Sequence, residues 1–348
     1  MTSIISSMTT QQIANLTTKQ VARLSTSDIN ALSSDQAQSL STTQISAMAT
    51  TAVVSISSAA LAAFNNYQLN ALSTQDVAAL KTTQITALLP TQVAAFTTLQ
   101  VAAMTPTQIS NLAPNMTPVQ LAALSKAQAS GLVMTNNGFN INQLQALSTQ
   151  VISALTTTQL SGLTPTQISS FTPTQVAAFT PTQLPMVISN FSTVQIASLV
   201  TAQAAGLTTT ALTSLSSSLL QAITPKEFGS IASSQLTSLN STQVGYLSNA
   251  QVSGMSSAQI PVLASKFNTS QIASITSLQA RGLSATALNN MNTGQLQALS
   301  PKTVSAMSTV QILAMSTTQV SYLASNFSTS QIAAMSVDAS SKLSQLSR

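Results

Sequence analysis

The sequence has no cysteine, no histidine and no tryptophan, and only 4% of its 348 residues are charged. Without a thiol or an imidazole, no Ser-His-Asp triad, Cys-His dyad or Cys/His metal site can be assembled. The missing cysteines also leave the redox compartment unread and are no obstacle to secretion. A Ser-x-x-Lys nucleophile fails by inspection. The residues three before Lys19, Lys81, Lys126, Lys226, Lys266, Lys302 and Lys342 are Leu16, Ala78, Ala123, Ile223, Leu263, Leu299 and Ala339.

The five acids, Asp28, Asp35, Asp76, Glu227 and Asp338, are too scattered for paired carboxylate chemistry or a calcium cage. Ten Lys and Arg give a net charge of +5, but only Lys19 and Arg23 lie close together, and only three Tyr are present. That is no basic, aromatic-studded stripe, so nucleic acid is not an expected partner. No glycine-rich phosphate loop occurs, and no apolar run approaches the roughly 20 residues of a membrane helix. The opening stretch, Met1 to Met8, lacks a basic segment followed by an apolar one, so no cleavable signal is expected there. Six Asn-x-Ser/Thr sequons begin at Asn15, Asn115, Asn190, Asn240, Asn268 and Asn326, about what so much Ser and Thr gives by chance. No catalytic, cofactor-binding or metal-binding residue is nominated.

What is present is one phrase, repeated. It is cleanest in Thr164-Pro-Thr-Gln-Ile-Ser-Ser-Phe171 and Thr172-Pro-Thr-Gln-Val-Ala-Ala-Phe179: hydroxyl, any or Pro, any, Gln, Ile/Val/Leu, small, small, Leu/Met/Phe. Positions one and four form a capping box, in which the hydroxyl accepts from the N3 amide and the N3 Gln accepts from the N-cap amide. Proline tests this independently, because it is tolerated at N1 and harmful deeper in a helix. Pro90, Pro106, Pro114, Pro118, Pro165, Pro173, Pro181, Pro225 and Pro301 all read as position two, leaving only Pro185 and Pro261. The acids fit as well, with Asp28, Asp76 and Glu227 at N3 and Asp35 and Asp338 at N2, where a carboxylate caps amides and complements the dipole.

Positions five and eight lie three apart and share a helical face. Position eight also precedes the next N-cap, so Leu163 with Ile168, and Phe171 with Val176, read as hydrophobic staples that fix a corner between helices. The twelve methionines mostly replace Leu at position eight, as at Met48, Met104, Met255 and Met335, and read as core. A single continuous helix is excluded because apolar spacings of three and five drift by about 80° every eight residues. A β-solenoid stays as the alternative, although residues three apart point to opposite faces of a strand. The expected fold is all-α, a solenoid of short capped helices, one per octad, held by stacking because helices so short do not survive alone.

The array is expected to run over 1–348 as a single unit. Four residues, Ala113-Pro-Asn-Met116, interrupt it, and an irregular loop with a turn signal at Asn136-Asn137-Gly138 is expected at 133–139. Twelve-residue units are expected at 113–124, 180–191, 256–267 and 316–327, marking superhelical turns or a longer helix at a corner.

Octads such as Leu155-Thr-Thr-Thr-Gln-Leu-Ser-Gly-Leu163 resemble the Ser/Thr/Gln-rich arrays of large bacterial secreted or cell-surface repeat proteins. The resemblance implies an extracellular structural or adhesive role. Leu163-Thr-Pro-Thr-Gln-Ile168 is also similar to the opening of transcription activator-like effector repeats, but the unit here is eight residues with no base-reading loop, so DNA recognition is not carried over. The expected function is that of a non-enzymatic spacer or filament subunit. Its motives are an in-phase array, ends without a polar capping repeat, and a nearly uncharged hydroxyl and amide surface. The expected partner is a second copy. The alternative is an adhesive module whose Thr/Gln rows bind a surface glycan, a surface protein or, less readily, ice.

Overall fold

The structure, a computed structural model, describes residues 3–135 and 138–336. The protein is an all-α solenoid: short helices follow one another in series, with no strand among the described residues. The β-solenoid alternative is thereby removed. The chain divides into two compact units, Met1–Ala178 and Phe179–Arg348, where the octad pattern suggested one array.

Each regular octad forms a helix of four to six residues whose N-cap is position one, as in Thr18–Val21, Thr42–Ser46 and Thr74–Ala79. Seven of the prolines, Pro90, Pro106, Pro118, Pro165, Pro173, Pro225 and Pro301, open their helices at N1. Positions five and eight form the core. Ile45 and Met48, Val101 and Met104, and Ile168 and Phe171 are all buried. After position eight the backbone turns extended at the next N-cap and a new helix begins.

The twelve-residue units extend an octad by one turn. Pro106–Leu112 runs directly into the 3-10 turn Ala113–Asn115, and Met116 is buried where a position eight would be. The extra residues thus belong to the octad before them, and the unit is 105–116 rather than 113–124. Pro114 accordingly sits in this 3-10 turn and not at the start of an α-helix. Thr317–Leu323 with Ala324–Asn326 repeats the arrangement. In the other two units a proline at the sixth residue, Pro185 or Pro261, removes an amide from the first turn, and the α-helix starts late, at Leu184–Val187 and Ile260–Leu263.

The described residues of 133–139 contain no helix. Met134 and Phe139 are nonetheless buried, so the stretch occupies the place of one unit. Asn136 and Asn137 of the expected turn, and the last octad with Asp338, lie outside the described residues.

Candidate functional site: a glutamine ladder and its exposed rows

The position-four glutamines do more than cap. In the Ser41 octad, Gln44 Oε1 accepts from the Ser41 amide at 2.7 Å, while its Nε2 donates to the carbonyls of Ile13 (3.1 Å) and Leu16 (2.7 Å). Those carbonyls are positions five and eight of an octad 32 residues earlier, one coil back. Gln68 does the same to Ala37 and Leu40, Gln100 to Leu69 and Leu72, and Gln175 to Leu144 and Leu147. The final carbonyls of a helix have no partner within it, and here they are supplied by the next coil's amide. Since the carbonyls bonded lie 28 and 31 residues back and other ties such as Ser46 Oγ to Ala71 O span 25, one coil takes between three and four octads.

The ladder runs through the first unit as a column, Gln36, Gln68, Gln100, Gln128 and Gln159, each donating to the octad below. Gln251, Gln279 and Gln311 form a column in the second. Across a twelve-residue unit the reach contracts by four: Gln120 donates to Val93 and Phe96, 27 and 24 back, and Gln271 to Val244 and Leu247. Twelve residues therefore cover the arc of two octads. Lys266 shows it directly, because its Nζ takes the Leu239 carbonyl at 2.6 Å, the place where a second octad's glutamine would reach. The seven-residue stretch also counts as a rung, with Gln167 donating to Phe139 O at 2.9 Å.

Glutamine persists where the N-cap hydroxyl does not. At Lys81, Leu89, Val200 and Ala232 the backbone amide still donates to the Gln Oε1, at 2.8–2.9 Å. Most of these glutamines are buried, and no buried side-chain nitrogen or oxygen among the described residues lacks a hydrogen-bond partner.

Acids at position four reverse the direction of the tie. Asp28 accepts from Ser3 Oγ at 2.7 Å, Asp76 from Thr50 Oγ1 at 2.7 Å and Glu227 from Thr201 Oγ1 at 3.3 Å, in each case a hydroxyl 25 or 26 residues earlier. Asp35 is exposed at N2. Asp28, Asp76 and Glu227 are thus brought to coil junctions, and the described residues contain no group of three or more potential metal ligands. Lys226 Nζ lies 3.9 Å from Glu227 Oε1, but the lysine is exposed and the pair contributes little.

Hydrogen bonds from the Ser25 hydroxyl, and then from Ser3, hold the Asp28 carboxyl below its ordinary value of 3.8. A carboxyl with a lowered folded-state pKa supplies stability above its unfolded value and loses it as pH falls through the folded one. The Ser3–Asp28 tie is therefore expected to hold at neutral pH and to loosen only below about pH 3.8. Amide exchange at Ile5, whose N–H donates to Ser3 Oγ, should rise beyond the intrinsic trend as pH falls below the ordinary carboxyl value of 3.8, and this excess should vanish in Asp28→Asn.

Outside the ladder, positions one to three of each octad face solvent as rows of Ser and Thr. Position three sometimes carries a large apolar side chain instead. Leu99 follows Tyr67 one coil later, and Val310 follows Leu278, all four more than 70% exposed. A shallow groove of about 560 Å³ between Thr293–Gln297 and Thr317–Leu323 is lined by Asn289, Asn292, Thr293, Gln319 and Tyr322. Among the described residues no helix is long and apolar enough to cross a membrane.

Residues 141–173 and 288–325 match the ALTTAQ repeat. One ALTTAQ stretch falls in each compact unit, and each contains ladder glutamines, Gln143, Gln159 and Gln167 in the first and Gln295, Gln311 and Gln319 in the second. The chain thus carries Thr/Gln-rich repeats of a recognised type. No curated protein and no solved structure matches it. The second arm of glutamine was missed in the sequence, because the cap bond it keeps even behind Lys81, Leu89, Val200 and Ala232 accounts for its presence locally.

Proposed function

We propose that the chain is a non-enzymatic structural repeat that acts as a spacer or filament-forming element, outside the cell or at its surface, and associates with further copies of itself. The ladder carries this reading. Buried glutamine amides are spent on joining coil to coil, and the solvent-facing remainder is hydroxyl and amide with sparse charge. The coils that carry position-four glutamines donate amides to the carbonyl rows of the coil before, so a coil of a second copy can add through bonds of the kind that already hold the first. Such a head-to-tail contact does not close on itself and produces a fibre.

Cryo-electron microscopy over a concentration series tests the proposal. Fibres should form as concentration rises, with an axial repeat set by the coil of three to four octads. Monodisperse short rods at every concentration overturn the filament half and leave the spacer.

The Tyr322 groove favours a second reading, adhesion to a neutral glycan. Its lining mixes amides and hydroxyls with the apolar Met291, Leu296 and Met315, beside Tyr322, which is 39% exposed, and such a surface suits a hydroxyl-rich, uncharged ligand. Nucleic acid has no counterpart surface in this reading.

A further inference from the structure

Three octads carry a pattern found nowhere else in the chain, Gln-Ala-x-Gly-Leu: Gln128-Ala-Ser-Gly-Leu132, Gln203-Ala-Ala-Gly-Leu207 and Gln279-Ala-Arg-Gly-Leu283. These octads start at 125, 200 and 276, each 20 residues after the start of a twelve-residue unit, at 105, 180 and 256. Because a twelve-residue unit covers the arc of two octads, each glycine octad lies one coil beyond the long unit.

The glycines meet the second residue of that unit. A Cβ on Gly131 would stand 2.1 Å from the Pro106 carbonyl oxygen, one on Gly282 2.0 Å from that of Ser257, and one on Gly206 2.5 Å from the Pro181 Cβ. The seven-residue unit obeys the same rule: Gly162, one coil after it, would place a Cβ 1.9 Å from the carbonyl oxygen of its second residue, Met134. The remaining glycine at position seven, Gly254, faces Pro225 of an ordinary octad less tightly, at 2.9 Å. Position five of the three Gln-Ala-x-Gly-Leu octads is also trimmed, to the buried Ala129, Ala204 and Ala280.

We propose that the shortened units at 105–116, 180–191, 256–267 and 133–139 each form a matched clamp with the glycine octad one coil later; the twelve-residue unit at 316–327 stands apart, with Lys342 at the corresponding sequence position. Removing residues from a coil draws its first turn against the next coil, and the absent Cβ lets the two backbones close without breaking the glutamine ladder. The φ angle plays no part, since no glycine among the described residues has a positive φ. In helical backbone alanine is otherwise the better residue, so any loss on Gly→Ala reports contact alone. With peptide backbone opposite Gly131, Gly162 and Gly282, and the rigid Pro181 ring opposite Gly206, no rotamer change relieves the overlap, and the coils must part.

Gly282→Ala tests the clamp. We expect its melting midpoint to fall by about 5–10 °C, while Gly245→Ala, whose Cβ would meet nothing within 4 Å, leaves it unchanged or slightly raised. Replacing 256–267 by two ordinary octads should make Gly282→Ala harmless. A harmless Gly282→Ala in the parent chain, or equal harm in the lengthened one, overturns the pairing. Should the lengthened chain not fold, local amide exchange decides. Gly131→Ala must speed exchange in 105–116 and Gly282→Ala in 256–267, each by about tenfold and without affecting the other. A uniform or absent response overturns the proposal.

Discussion

Gln100→Ala is expected to lower the stability of its coil by about 3–5 kcal/mol, several times the cost of the same change at Gln12. Gln100 joins three backbone groups: its Oε1 accepts from the Thr97 amide at 2.9 Å, and its Nε2 donates to Leu69 O at 2.9 Å and Leu72 O at 2.8 Å. Its side chain is 3% exposed, so water cannot easily take over. Each bond contributes about 1 kcal/mol net, and each buried group left unpaired costs about 1–3 kcal/mol, which makes the carbonyls the larger share. Gln12 makes the same capping bond, from the Thr9 amide at 2.8 Å, but is exposed, so its loss should cost about 1 kcal/mol. Denaturant unfolding of the two variants, with amide exchange to locate the loss, provides the comparison. Equal costs would mean that capping, and not the inter-coil arm, is what the glutamine contributes.

The contrast between those two residues also marks how far the sequence could be read. Capping is a relation between residues three apart, so Thr97 with Gln100, proline at N1 and the buried pair at positions five and eight are legible in a single octad. The partner of Nε2 depends on how many octads make a coil, a property of packing between helices that no local pattern encodes. For the same reason the twelve-residue units could be recognised as variations but not as the equivalent of two octads. Their boundary at 105–116 follows from Ala113–Asn115 continuing the helix before it, whereas position counting attached those residues to the octad after. The stretch 133–139 looked like a loop because it lacks capping residues, and it does lack a helix. Its role as a rung is visible only through Gln167 holding the Phe139 carbonyl. The glycines are the exception: Gln-Ala-x-Gly-Leu and its fixed distance from the long units stand in the sequence, and only the meaning required coordinates.

Phe228→Ala is expected to cost about 3–5 kcal/mol, whereas Phe228→Leu should cost less than about 1.5 kcal/mol. Phe228 is the one aromatic at position five, where the other octads up to residue 335 have Ile, Val, Leu or Ala, and it is fully buried. Its helix, Pro225–Gly229, packs against Asn249–Gly254 one coil on, with a Gly229 Cβ standing only 2.6 Å from the Gly254 carbonyl oxygen. Two glycines thus bring the backbones together beside the largest side chain of the inner row. Truncation leaves a cavity that the already close helices cannot fill by moving nearer, so the transfer and cavity costs add. Leucine restores the residue used at this position in neighbouring octads, as at Leu220 and Leu236, and loses only part of the volume. Because repeats contact mainly their neighbours, the damage should stay local: exchange should rise in 224–231 and in the coils on either side, while 269–273 and beyond keep their protection. A global loss of protection across the second unit would show instead that the array unfolds as one cooperative block, and that a single rung controls the whole.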